Sequence, residues 1–258
     1  MIDNTSEYIS IQAKRAEGVL PEMGSSKRVL QIVLERNQNF KNNFSVADIG
    51  CATGHLYKSF LKRNMNVSKY LGIEIDPNMI AEGIRIWKES ILEKKVFFKN
   101  SNIEYLNSDE QFNFVICLNA FMYFSNVKKA FEKMLDITGN FLIIRGYFCN
   151  QNYRILRPQT IENHDKSKVS ELDIYNEDGT IKIYDQWNIY SFSFIEKILN
   201  KIDKNLNIEW VEDNNPVETI LEEESLNLKK RGATEIYNNM EVSYPFIQPW
   251  KYLIISKK

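Results

Sequence analysis

The chain has 258 residues, enough for one large domain whose core needs no disulfide or metal staple. Its 33 basic and 34 acidic residues nearly cancel, which argues against bulk electrostatic attachment to nucleic acid or to an anionic membrane. No apolar run approaches the roughly 18 residues of a membrane span, and the amino terminus has no charged-then-apolar signal pattern.

The first forty-odd residues read as helical, with Val29, Leu30, Val33 and Leu34 spaced along one apolar face after a stretch punctuated by Pro21 and Gly24. From Phe44 the pattern changes. Residues 45–50 form a short apolar strand ending in glycine, and a helix with Leu56, Phe60 and Leu61 on one face follows. Residues 69–75 are a second strand. Asp76-Pro77 then opens a helix as an N-cap and first-turn proline, and Ile80, Ile84, Trp87 and Ile91 continue it. Further strands are expected at 96–98, 112–118 and 141–144, with a helix at 126–136 that Gly139 ends. Alternating strands and helices imply a parallel sheet covered on both faces, and the nearly continuous apolar strands agree.

After Tyr147 the alternation breaks. Residues 150–190 are polar, with a hairpin suggested at 171–184 turning on Asp178-Gly179. A helix is expected at 193–202 and two late strands at 207–212 and 250–256. The stretch between them, 214–249, is rich in Glu, Asn and Lys, as expected for a lid or substrate wall.

The strongest chemical signal is Val46-Ala47-Asp48-Ile49-Gly50-Cys51-Ala52-Thr53-Gly54-His55-Leu56, where the first strand turns into the next helix. Gly50 permits a sharp turn, Gly54 lets the helix pack close, and the backbone N–H groups there can hold a polar or anionic group. Leu71-Gly72-Ile73-Glu74 places a carboxylate at the end of the second strand, where it can accept hydrogen bonds from both hydroxyls of a ribose. Cys51, Cys117 and Cys149 have no metal-type spacing and read as small buried hydrophobes in a reducing cytoplasm; His55 and His164 are too far apart in sequence for a His-rich zinc site.

The pair VADIGCATGHL and LGIEIDPNMI resembles class I S-adenosylmethionine-dependent methyltransferases, whose first motif reads D-x-G-x-G-x-G. Asp48, Gly50 and Gly54 keep the pattern, whereas Ala52 replaces the middle glycine. The resemblance extends through NSNIEYL, EQFNFVICLNAFMYFSN and GNFLIIRGYF, about residues 44–147. The segment EGVLPEM also resembles one found ahead of the first motif in small bacterial methyltransferases of surface-sugar or secondary-metabolite pathways, where it would fold over the cofactor.

The resemblance implies a single α/β domain over 1–258: a Rossmann-like, seven-stranded, mostly parallel sheet with helices on both faces. It would comprise an N-terminal helical cap (1–43), a cofactor-binding core (44–148), an insert (149–192) acting as a lid, and a C-terminal part of the sheet (193–258) carrying the 214–249 insertion. S-adenosyl-L-methionine would be the cofactor and S-adenosyl-L-homocysteine its product. Asp48 and the loop Gly50, Cys51, Ala52 and Gly54 would face the methionine moiety, and Glu74 the ribose. Ile75 and Ile103 would flank the adenine and Asn102 contact its amino group, with Leu118 and Asn119 near the sulfonium. No metal is expected. Transfer to a hydroxyl needs a base, for which His164 and Asp185 are the candidates, while His55 belongs to the loop or the first helical turn. The run after the fourth strand lacks the N/D-P-P-Y/F pattern of amino-group methylation. The implied function is O-methylation of a sugar or sugar-derived small molecule by a cytoplasmic enzyme, with no nucleic-acid or membrane partner and a homodimer as one option for its assembly. Methylation of a protein or RNA, and a noncatalytic cofactor-binding partner subunit, are the alternatives; a nicotinamide-dependent reductase is disfavoured by the spacing from Gly50 to Gly54.

Overall fold

The computed structural model describes residues 6–36, 43–158, 175–182, 184–213, 235–237, 240–243, 246–247 and 249–257. Two helices come first, α1 (Ser6–Glu17) and α2 (Gly24–Arg36). Val29, Leu30, Ile32 and Val33 of α2 are buried, whereas Leu34 is exposed, so the apolar face is rotated from the one the spacing suggests.

The core alternates as expected: β1 (Asn43–Ile49), α3 (His55–Lys62), β2 (Asn66–Glu74), α4 (Pro77–Ile86), α5 (Lys88–Leu92), β3 (Val96–Asn100), β4 (Phe112–Leu118), α6 (Val127–Asp136) and β5 (Thr138–Cys149). Asp76 caps α4 through its carboxylate, which accepts the Asn78 N–H at 2.8 Å. The helix expected to run from Ile80 to Ile91 breaks at Trp87, whose buried indole N–H donates to the Thr53 carbonyl at 3.1 Å. Gly139 does not end α6. It already belongs to β5, where an added Cβ would stand 3.1 Å from the Phe112 carbonyl oxygen.

The main sheet has the order β3-β2-β1-β4-β5-β12-β8, with β12 (Trp250–Lys257) antiparallel to both β5 and β8 (Leu206–Glu212). These seven strands are joined by β6 (Tyr153–Pro158) and β7 (Tyr184–Ser191), an antiparallel ribbon anchored where Phe148 of β5 meets Tyr190. The sheet therefore has nine strands. Within the stretch read as polar with a hairpin at 171–184, the ribbon is a pairing the sequence did not suggest: the partly apolar Tyr153–Leu156 pairs with Gln186–Ile189 across a long connection that short-range patterning does not span. The Asp178-Gly179 turn is present, with Gly179 at φ 80° and Tyr175 bridging Ile181. Helix α7 (Phe192–Ile202) follows β7. Within 214–249, the described residues form a three-stranded antiparallel sheet of β9 (Glu235–Tyr237), β10 (Met240–Ser243) and β11 (Phe246–Ile247).

Two cores sandwich the main sheet. On one face Val46, Tyr70 and Ile143 pack with Val29, Val33, Leu56, Phe60 and Trp87. On the other Ala47, Val115 and Ile144 pack with Phe131, Met134, Ile195 and Leu199 of α6 and α7. No described helix is long and apolar enough to cross a membrane.

Candidate functional site

Strand order reverses between β1 and β4, because the chain leaves β1 toward β2 and β3 and later returns to the other side. In open parallel sheets such a switch point creates a crevice at the carboxyl ends of the strands, where the outgoing loops diverge. The turn from Gly50 to Gly54 lies at that crevice. Its backbone alternates into the left-handed region at Gly50 (φ 72°), Ala52 (φ 49°) and Gly54 (φ 77°). Two of these positions also lack room for a side chain: a Cβ on Gly50 would stand 2.6 Å from the Ala120 Cβ, and one on Gly54 would stand 2.9 Å from the Phe98 ring. Ala52 holds the same region with a methyl group, an arrangement that costs an L-residue roughly 1–2 kcal/mol.

Glu74 closes one side of the crevice. One carboxylate oxygen accepts the Ala52 N–H at 3.0 Å, and the other accepts the N–H groups of Ile75 and Asp76 at 2.8 and 3.1 Å. Burial raises its pKa while these donors pull it back. The side chain thus joins the end of β2 to the glycine turn. Asp48 lies beneath the turn, 3% exposed, and accepts the Tyr70 hydroxyl at 2.5 Å. Desolvation lifts its pKa to about 7 despite that hydrogen bond, with the charge of Glu74 adding to the rise.

Thr53 ties the turn to the N-terminal cap, its hydroxyl donating to the Gln12 carbonyl of α1 at 2.8 Å. His55, the first residue of α3, is held neutral: burial and then the charge of Arg15 push its pKa down to about 3.

At the end of β4, Leu118 is buried and Asn119 adopts φ 60°. The Asn119 side-chain amide donates to the Ser25 hydroxyl at 3.2 Å and its carbonyl accepts from Arg145 at 2.5 Å. Arg145 also donates to the Asp213 carboxylate at 2.6 Å, and its guanidinium stacks 3.7 Å above the Trp250 ring. Both members of this ion pair are buried, with side-chain exposures of 5% and 1%. Nearby, Met122, Tyr147, Trp187 and Ile189 form a separate apolar cluster bordered by Tyr123 and Trp250.

Asp48, Gly50, Cys51, Ala52, Gly54, Glu74, Leu118 and Asn119 are therefore gathered at one edge of the sheet, at the ends of β1, β2 and β4. The Asn102 side chain caps a short 3₁₀ turn by accepting the Glu104 N–H at 2.9 Å. Ile75 is exposed beside Glu74, and Ile103 is buried in the core. Asp185 lies on β7 opposite Arg157 of β6, on the part of the ribbon before it joins β5. His164 lies outside the described residues. Cys51 and Cys117 are buried thiols as expected; Cys149 is only partly buried, and its thiol donates to the Gln151 carbonyl. Sequence reasoning missed Tyr70, Ser25, Arg145 and Asp213. Arg145 carried a signal, a lone charge inside the apolar run FLIIRGYF. Among the described residues no cluster of His, Cys, Asp or Glu has the geometry to hold a metal ion.

Residues 46–139 match a family described as a methyltransferase domain. No curated protein matches the chain. Among solved structures, an S-adenosylmethionine-dependent methyltransferase from Clostridium acetobutylicum ATCC 824 is 14% identical, with 97% of this chain and 98% of that one covered at a TM-score of 0.54. A magnesium protoporphyrin IX methyltransferase from Synechocystis PCC 6803 with bound SAM is 13% identical, covering 91% and 80% at 0.51. The [4+2]-cyclase SpnF is 15% identical, covering 89% and 80% at 0.54. The chain shares the α/β Rossmann-like methyltransferase fold with these structures, and residues 46–139 match the methyltransferase domain.

Proposed function

We propose that the chain is an S-adenosylmethionine-dependent methyltransferase that transfers the methyl group to a small molecule, as an O-methyltransferase of a sugar or sugar-derived metabolite in the cytoplasm. The observation that carries the cofactor reading is the pairing of a half-buried Glu74 carboxylate with a glycine turn across a switch-point crevice. The residues fit the cofactor: Glu74 supplies two oxygens for the ribose hydroxyls, and the Gly50–Gly54 backbone supplies donors beside the methionine moiety. In this reading Asn102, before the short 3₁₀ turn after β3, would face the adenine, and Leu118 and Asn119, at the end of β4, would face the sulfonium. When bound, the cofactor supplies an activated methyl carbon for in-line displacement, so the protein's own contribution is chiefly alignment and exclusion of water. Asp48 and Tyr70 hold the floor of the turn rigid, and Asn119, fixed by Ser25 and Arg145, sets the wall beyond it.

The acceptor reading is supported by the aromatic wall of Tyr147, Trp187 and Trp250, because sugar rings and planar ligands both favour aromatic faces. Near-zero net charge favours a small molecule over RNA. The three free thiols suit a reducing compartment.

Calorimetric titration with S-adenosylmethionine and S-adenosylhomocysteine tests the cofactor reading, with NADH as control. Glu74→Ala removes two charge-assisted contacts to the ribose, so its affinity should fall about 100-fold, the equivalent of about 3 kcal/mol. Tight NADH binding, or wild-type protein that ignores both sulfur nucleosides, would overturn it. An acceptor screen beginning with nucleotide-linked sugars tests the second half.

A further inference from the structure

The floor of the crevice carries two carboxylates, and neither forms an ion pair among the described residues. Glu74 is held by three backbone N–H groups. Asp48, flanked in the sheet by Gly72 of β2 and Ile116 of β4, is held by the Tyr70 hydroxyl, which donates to Oδ2. Its other oxygen has no hydrogen-bond partner among the described residues. Asp48 is 3% exposed and Tyr70 is fully buried. A buried carboxyl with one neutral donor and a like charge nearby favours its protonated form, and a cation brought beside it reverses that preference.

The groups around Asp48 leave it as the one poised to change. The Tyr70 phenol on β2 and the thiols of Cys51 in the turn and Cys117 on β4 all feel its charge, and burial holds all three protonated. Glu74 raises the pKa of Asp48 by its charge, which together with burial brings it to about 7. On the side of the cap, Arg15 of α1 helps to hold His55 of α3 neutral, and neither is among the groups that move Asp48. A ligand that fills the crevice therefore meets a carboxyl whose proton can be exchanged for the ligand's own positive charge.

We propose that Asp48 holds a displaceable proton that couples the crevice to the charge of its ligand: the proton leaves when the cationic S-adenosylmethionine binds, and is kept or regained when the neutral S-adenosylhomocysteine takes its place. The two nucleosides differ by one methyl group and one positive charge, so the exchange lets the crevice favour donor over spent product, and more strongly as the pH rises. This rests on the proposed function.

The experiment is calorimetric titration of the full chain with each nucleoside at constant ionic strength, from about pH 6 to about pH 8, in buffers of different protonation enthalpy. Wild type is compared with Asp48→Asn, which cannot ionise, so that titration of the ligands and of other groups cancels in the difference. If the proton leaves completely, wild-type affinity for S-adenosylmethionine should rise about tenfold over this range relative to the variant, with about 0.9 proton released per site at about pH 6. S-adenosylhomocysteine should show a smaller rise and a smaller release. Tyr70→Phe keeps the buried ring and removes the donor, so it should move the rise to higher pH; it also keeps the test alive if Asp48→Asn fails to fold. Parallel profiles for wild type and Asp48→Asn, a rise that Tyr70→Phe leaves in place, or equal proton release by the two nucleosides would each overturn the inference while leaving the cofactor reading intact. A wild type that binds neither nucleoside at any pH overturns the cofactor reading and takes this inference with it.

Discussion

Asp48→Asn probes the electrostatics of the crevice floor. The Asp48 carboxyl is buried, and desolvation raises its pKa from 3.8 to about 7 against the pull of the Tyr70 hydroxyl. A raised pKa in the folded state means that the folded protein binds this proton more tightly than the unfolded chain does. The stabilisation is complete below the unfolded value and is lost as the pH rises through about 7. A shift of roughly three units is worth about 4 kcal/mol. Asn matches the protonated acid in shape, keeps an acceptor for the Tyr70 hydroxyl and does not titrate. Urea unfolding of both proteins, from about pH 4 to about pH 9, isolates the effect from all other titrating groups, because only the difference between the two curves is read. The variant should match the wild type at the acid end, gain on it steadily through neutrality, and stand about 4 kcal/mol above it at the alkaline end. Parallel curves would show that Asp48 ionises freely under the turn, and the reasoning from burial would fail.

Two further substitutions test the geometry. Ala52→Gly relieves a left-handed residue while keeping the N–H that Glu74 accepts; after the entropy cost of glycine it should stabilise the protein by roughly 0.5–1 kcal/mol and leave cofactor affinity within about twofold, and a loss of stability on urea unfolding would count against the strained turn. Arg145→Met leaves Asp213 buried without its cation and should cost about 3–5 kcal/mol, most of which Arg145→Met/Asp213→Leu should recover; a single-variant cost under about 1 kcal/mol would mean that the pair is not buried as described.

The strands and the glycine turn were legible because their signals are local. The sequence patterning placed β4 at 112–118, matching Phe112–Leu118, since a strand buried on both faces is a continuous apolar run with sharp ends. Asp48 and Glu74 were found by their positions at strand ends. The break at Trp87 was hidden, because a hydrogen bond to a carbonyl on another element leaves no mark on helical spacing. The β6–β7 ribbon was hidden for a related reason: its two strands pair across a long connection, and neither is apolar enough to stand out alone. Ser25 and Asp213 were unreadable because each acquires its role from Asn119 and Arg145, which fold to it from far along the chain.

The matched domain, residues 46–139, ends just inside β5, yet the crevice is completed by residues outside it. Arg145 and Tyr147 lie farther along β5, Asp213 follows β8, and Trp250 opens β12. The N-terminal cap is joined to the same unit through Thr53 and Gln12, through Asn119 and Ser25, and through the Tyr252 hydroxyl, which donates to the Ser25 carbonyl at 3.1 Å. Ion pairs from Glu17 to Arg85, Glu22 to Arg63 and Arg36 to Glu209 run along the same contact, although being partly exposed they add little stability of their own. The bonds of Thr53 and Asn119 matter more, because each sits on a residue that shapes the crevice. Thr53 belongs to the glycine turn, and Asn119 to the wall beyond it. The cap is therefore bonded to the turn through Thr53 and to the end of β4 through Asn119, so the walls of the crevice and the N-terminal helices form one packed unit.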